Sequence, residues 1–224
     1  MTLAEKTELD VERLRAVVRP IQGTCQLFLV RHGTTTLNVQ NRYRGRRDVP
    51  LDAQGYQDAV DAARVLSPCG LTAVYTGPLR RTVATAQIIA DEARVPDLRI
   101  LHGLNNVDYG VWEGLTAQEA EQHDPRAFAS YRSSPEVAVC PAGERLMDAQ
   151  ARITQAVDLI GERHAGEIVV GVTHAVMIRL LVLGLTGGSG ERWRIPVGRG
   201  SLTSITVRDG QISVNALPEG TDVD

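Results

Sequence analysis

CQLFLVRHGTTTLN, residues 25–38, sets an apolar run, broken only by Gln26, against a basic, glycine-containing turn. Such a run with little polar alternation reads as a strand buried on both faces, the kind found in parallel sheets. The turn that follows is polar, and Gly33 within it lets backbone approach a ligand closely. Arg31 is permanently charged and His32 is a potential nucleophile. The hydroxyls of the turn and Asn38 can donate hydrogen bonds. A buried histidine in an ordinary polar turn would give the same tripeptide, so the fold follows from this stretch before the function does.

Outward from it, strands and helices alternate. Asp52–Leu66 reads as a helix with Asp52 as N-cap. Leu71–Tyr75 reads as a strand, and Pro78–Ala93 as a helix with Pro78 near its first turn. Leu98–Leu101 is a short strand, and Thr116–Gln122 and Pro125–Tyr131 are short helical pieces. Gly143–His164 reads as a long helix, EIVVGV (Glu167–Val172) as a second buried strand, and His174–Leu185 as a helix. Ser201–Val207 and Gln211–Val214 flank Asp209-Gly210, a hairpin signal. The alternation predicts an α/β fold: a three-layer arrangement with a mostly parallel central sheet and helices on both faces. Residues 23–224 are expected to form one domain, preceded by an N-terminal helical extension over residues 1–22. Within it, residues 3–19 form a charged helix ended by Pro20. That segment packs on the body, mediates a homodimer or frays; the sequence leaves the three open.

Composition narrows the classes. The chain has 224 residues, 43% of them hydrophobic, and a formal net charge of -3, which gives no reason to expect nucleic acid or an anionic membrane as partner. Lys6 is the only lysine, so nearly every cation is arginine, whose planar fork suits phosphate oxygens. Cys25, Cys69 and Cys140 show no metal-ligand spacing, and neither a metal nor another cofactor is expected. Free thiols, no signal-peptide pattern and no apolar run long enough to span a bilayer lead to a cytoplasmic expectation. The longest apolar stretch, Ala175–Leu185, is interrupted by Arg179.

Parallel sheets place ligands at the carboxyl ends of their strands. The first strand ends at Arg31-His32-Gly33. The second leads into YTGPLRRTVATA, residues 75–86, where an arginine pair opens a helix whose N-terminus favours anions. The strand at 167–172 ends at Thr173-His174-Ala175, where Thr173 reads as a cap for the next helix. Three strands therefore deliver His32, Arg81 and His174 to one edge of the sheet.

These segments resemble the histidine phosphatase, or phosphoglycerate mutase-like, superfamily. LVRHGTTTLN (29–38), RYRGRRDVPLDAQG (42–55), YTGPLRRTVATA (75–86), DYGVWEGLT (108–116), AGE (142–144) and VTHAVMIRLLVLGLTG (172–187) are similar to its motifs, in its order. The resemblance implies that His32 is the nucleophile forming a covalent phosphohistidine. It also implies that Arg31, Arg81 and His174 hold the phosphoryl oxygens, without metal, and that a phosphorylated small molecule is the substrate. Asn38, Thr35, Gly33, Arg44 and Ala175 are the substrate-binding candidates on the matching segments. The arginines of the 42–47 loop either reach a second acidic group on the substrate or are simply solvated.

One position departs from the pattern. Asn106 stands where the family places the glutamate that protonates the leaving oxygen, and an amide supplies no such proton. Three readings follow: another carboxyl substitutes, with Asp108, Glu113 or Glu144 as candidates; the substrate has a leaving group that departs with little protonation, as in an acyl phosphate, a pyrophosphate or a phosphoramidate; or the protein binds a phosphate ester, or performs an altered reaction, without efficient hydrolysis. Phosphoglycerate mutase and protein-phosphohistidine phosphatase are the other activities compatible with these motifs.

Overall fold

A computed structural model describes residues 21–187, 193 and 195–217. The helix expected over residues 3–19 lies outside the described residues. The strands are β1 (Thr24–Arg31), β2 (Ala73–Thr76), β3 (Leu98–Ile100), β4 (Ile168–Thr173), β5 (Leu202–Arg208) and β6 (Gln211–Ala216). The helices are α1 (Thr36–Val39), α2 (Ala53–Leu66), α3 (Arg80–Ala93), α4 (Ala117–His123), α5 (Pro125–Ser133), α6 (Leu146–Arg163) and α7 (Ala175–Thr186). The sheet order is β3-β2-β4-β1-β5-β6. The first four strands are parallel, while β5 and β6 run antiparallel at one edge. Asp209 and Gly210 both adopt positive φ, 50° and 72°, as a two-residue turn that follows the strand twist requires.

Alternate residues of β1 point to opposite faces, and this builds the three layers. Phe28 and Val30 are fully buried with Ala62, Ala63 and Leu66 of α2 and Ala86, Ile89 and Ala90 of α3. Leu27 and Leu29 are fully buried in the other core, with Leu146, Ile153 and Ile160 of α6 and Met177, Leu180 and Leu181 of α7. Each such side chain contributes about 1.5–3 kcal/mol on burial. The run is therefore apolar on both faces because both faces are covered.

Local chemistry sets the helix ends that frame the site. Asp52 caps α2 by accepting from the Gly55 N–H at 2.9 Å. Leu79 cannot cap α3; the carboxylate of Asp48 accepts from the Arg80 N–H at 2.7 Å instead. Pro78 accordingly precedes the cap rather than lying in the first turn. The long helix begins at Leu146, not at Gly143. Glu144 is taken out of the helix by tertiary bonds: its carboxylate accepts from the Asp108 N–H at 3.2 Å and its carbonyl from the Cys140 N–H at 3.1 Å. Thr173 does not cap α7 either. His174 occupies the N-cap, and Thr173 Oγ1 donates to the Leu104 carbonyl at 2.8 Å.

The turn after β1 is clamped against α2. A Cβ on Gly33 would sit 2.1 Å from the Gly55 carbonyl oxygen, and one on Gly55 2.0 Å from that of Thr34. Thr34 donates to Asp58 Oδ2 through both N–H and hydroxyl, at 2.9 and 2.5 Å. Gly33→Ala therefore forces backbone apart and is expected to cost about 1–3 kcal/mol. Thermal unfolding should show this as a loss of several degrees, and an unchanged melting temperature would contradict the clamp.

Candidate active site

Register brings the strand ends level. Arg31 pairs with Thr173 across β1 and β4, and Thr76 pairs with Val172 across β2 and β4. His32 then follows β1 directly, with its N–H on the Thr173 carbonyl at 3.1 Å, and His174 follows β4. Their rings meet edge-on with centroids 5.0 Å apart. Both are buried, as are Arg31 and Arg81.

His32 Nδ1 lies 2.6 Å from its neighbour Gly33's carbonyl oxygen. A carbonyl only accepts, so Nδ1 carries the proton and Nε2 keeps the lone pair. Burial, then the charges of Arg81, Arg31 and Arg44, hold His32 well below its ordinary value of 6.5, against a smaller opposing effect of the Gly33 carbonyl. His174 is lowered in the same way, by burial first and then by Arg81, His32, Arg44 and Arg152. Both rings are thus neutral at physiological pH. Neither ring nitrogen of His174 has a hydrogen-bond partner among the described residues.

Arg81 is the buried member of the pair that opens α3, while Arg80 is exposed. Its guanidinium donates to the carbonyls of Arg47 and Gly45, at 2.7 and 2.8 Å. Burial and the neighbouring charge of Arg44 push it down to about 9, with Asp48 and Glu113 opposing, so it remains a cation at neutral pH. Arg31 Nη1 donates to the Val197 carbonyl. The 42–47 loop thus supplies carbonyls that aim Arg81 as well as side chains of its own.

A cavity of about 270 Å³ opens beside the two histidines. Of the residues expected from sequence, His32, His174, Ala175, Asn106 and Arg44 line it. Arg31 and Arg81 stand behind the lining and act on His32 through charge. Gly33, Thr35 and Asn38 do not line it; Asn38 Oδ1 accepts from the N–H and hydroxyl of Thr35, at 3.0 and 2.8 Å, while its Nδ2 has no hydrogen-bond partner among the described residues. Asp108 and Glu113 do not line it either. Asp108 pairs with Arg46 at 3.3 Å and accepts from the Gly110 N–H, and Glu113 accepts from the Arg46 N–H at 2.6 Å. Glu144 pairs with Arg152 at 3.0 Å. None of the described lining residues is a carboxylate.

The outer wall joins aromatic residues that lie far apart in the sequence. Tyr43, Tyr109 and Tyr131 pack together there, with ring centroids 4.9–5.8 Å apart and a 2.8 Å bond between the Tyr109 and Tyr131 hydroxyls. Burial, with Tyr109 alongside, raises Tyr131 well above an ordinary phenol. Trp112 and Trp193 pack in the same core without lining the cavity. Arg42, bonded to Glu119 at 2.8 Å, and Arg179 also line the cavity. An arginine inside the apolar run 175–185 was the one available sign of the latter. Among the described residues no cluster of His, Cys, Asp and Glu suits a metal ion, and no helix is long and apolar enough to cross a membrane.

A parallel sheet whose strand ends hold two neutral histidines among guanidiniums defines an electropositive α/β site suited to a compact anion. The model of the histidine phosphatase superfamily (branch 1) matches residues 27–219, and the chain belongs to that family. It is 34% identical over 180 residues to the bifunctional protein Rv2228c of Mycobacterium tuberculosis, covering 80% of this chain and 49% of that one. The chain thus spans about half the length of the first curated relatives it matches. Phosphoserine phosphatase 1 of Hydrogenobacter thermophilus is 31% identical, over 72% of this chain and 76% of its own. The structure of Bacillus stearothermophilus YhfR superposes with a TM-score of 0.80 at 33% identity, covering 89% of this chain and all of the other.

The lowered value of His32 has a direct kinetic sign. Protonation removes the lone pair, and that step falls well below pH 6.5. The value of kcat/KM for an aryl phosphate, corrected for the substrate's own ionisation, should stay level from pH 7.5 down through 6.5. An enzyme-borne loss centred near 6.5 would contradict the burial and charge effects described.

Proposed function

We propose that this chain is a metal-independent phosphatase that hydrolyses a phosphorylated small molecule through a covalent phosphohistidine on His32. The observation that carries this reading is the fixed tautomer of His32, with Nε2 unprotonated beside His174 in a cavity backed by guanidiniums. Family membership supports phosphatase chemistry at the level of class, and the name of the Hydrogenobacter relative agrees with it.

In this reading Nε2 attacks phosphorus in line, and the bond to the leaving atom breaks as the new P–N bond forms. Arg31 and Arg81 stabilise charge on the equatorial oxygens, and Arg44 adds its charge from the cavity wall. The ring N–H of neutral His174 donates to one oxygen, and the incoming dianion favours its further protonation. Water then attacks phosphorus and returns the P–N electron pair to His32.

With Asn106 at this position and no carboxylate among the described lining residues, the leaving group receives no carboxylic acid from them. Substrates whose leaving groups depart without protonation therefore suit the site best. The test compares p-nitrophenyl phosphate with 3-phosphoglycerate, each with and without excess chelator. Turnover of the nitrophenyl ester, slow turnover of the alkyl ester and indifference to chelator are expected. Equal turnover of both esters would place an acid elsewhere. Turnover of neither would favour a phosphate-ester binding protein, the reading that the missing acid alone would support.

A further inference from the structure

Asn106 determines which kind of atom the cavity presents to the leaving group. Its Nδ2 donates to the Gly45 carbonyl at 3.0 Å, and because a carbonyl only accepts, the amide's orientation is fixed. The same carbonyl accepts from Arg81 Nη2, so the amide and the Arg81 guanidinium share one anchor. The main chain is held as firmly. Arg152 on α6 donates to the carbonyls of Gly103, Asn105 and Asn106 at 3.0, 2.8 and 3.2 Å, and Thr173 holds that of Leu104.

This commits one branch of the amide and frees the other. Gly45 does not line the cavity, whereas Asn106 does, together with His32 and His174. Asn106 is 3% exposed, and its Oδ1 has no hydrogen-bond partner among the described residues. A buried acceptor without a donor is unfavourable, and a ligand that brings the donor relieves it. We propose that Asn106 Oδ1 is a specificity determinant for N-phosphoryl substrates, phosphoramidates whose bridging nitrogen carries its own proton. The proposal rests on the phosphohistidine reading given above.

The chemistry balances without an enzyme acid. In the reactive form the bridging nitrogen is protonated, R–NH₂⁺–PO₃²⁻, and one N–H donates to Asn106 Oδ1. The acceptor favours that form over the one protonated on oxygen. His32 Nε2 attacks phosphorus, the P–N pair goes to the nitrogen, and it leaves as the neutral amine R–NH₂. The ring, still carrying its Nδ1 proton, bears the phosphoryl group. Water then adds to phosphorus, dihydrogen phosphate departs, and neutral His32 returns. An alkyl ester fits poorly on two counts. Its bridging oxygen has only lone pairs to set against Oδ1, and its alkoxide finds no carboxylic acid among the described lining residues.

The test uses the full chain with N-benzylphosphoramidate and benzyl phosphate, which differ in the bridging atom alone. Nitrophenyl phosphate reports separately on the nucleophile, and His32→Ala gives the spontaneous rate. The wild-type enzyme should favour the P–N compound in kcat/KM. Asn106→Leu, similar in shape but without an acceptor, should lower that preference about tenfold, the loss of one charge-assisted hydrogen bond. A preference that survives Asn106→Leu reflects the lability of the compound and overturns the proposal. So does a wild-type enzyme that turns over benzyl phosphate as readily, a comparison that needs no variant. Nitrophenyl turnover without P–N preference rejects this proposal alone; no turnover of any of the three rejects the phosphohistidine reading with it.

Discussion

Replacing His32 with alanine should abolish turnover of every phosphorylated substrate, by about 10⁴–10⁶-fold, the scale on which loss of a nucleophile is felt. The reason lies in what no neighbour can replace. His174 sits at the same strand edge, yet among the described residues it has no carbonyl partner that fixes which nitrogen keeps the lone pair. His32 has that partner in Gly33. The guanidiniums that remain would still attract phosphate, so binding of inorganic phosphate should persist while kcat disappears. The substitution removes one local hydrogen bond from a polar pocket, and circular dichroism should show an intact fold. Turnover within tenfold of wild type, in a folded variant, would remove His32 from the chemistry.

Asn106→Glu is expected to act in the opposite direction and only on some substrates. A positioned general acid contributes about 10²–10⁴ in rate where the leaving group is basic. A glutamate at 106 stands on the cavity wall, on a segment that Arg152 and Thr173 already hold in place. The kcat/KM for an alkyl phosphate such as 3-phosphoglycerate should rise at least about tenfold. Nitrophenyl phosphate, whose leaving group needs little protonation, should change far less. The split between the two is the diagnostic. A parallel change in both would mean that the substitution alters binding or folding, and no change in the alkyl ester would mean that proton supply does not limit its rate.

These two positions also mark where sequence reading succeeds and where it stops. The apolar run at 25–30 predicts a strand covered on both faces, and Phe28 and Leu29 do enter opposite cores. The strand-to-helix junctions bring His32 and His174 to one edge because parallel neighbours share the direction in which their strands end. Which charges pair is a different matter. Asp108 and Glu113 look like available acids in the linear text, but Arg46, more than sixty residues earlier, takes Asp108 with its guanidinium and Glu113 with its main-chain N–H. The long helix begins at Leu146 rather than at Gly143 for a similar reason. A Cβ on Gly143 would lie 2.4 Å from the Asp108 carbonyl, so that glycine serves a tertiary contact that helix periodicity cannot register. The tyrosine wall joins residues 43, 109 and 131, and no local spacing relates them.

What unites the present account is a single bond, that between His32 Nε2 and phosphorus. The most direct measurement is to quench a reaction with ³²P-labelled substrate within milliseconds and map the labelled peptide. The account predicts label that is lost in acid, stable in alkali and confined to the peptide bearing His32. Label on another residue, or a full catalytic cycle with no labelled protein at any time, would contradict it.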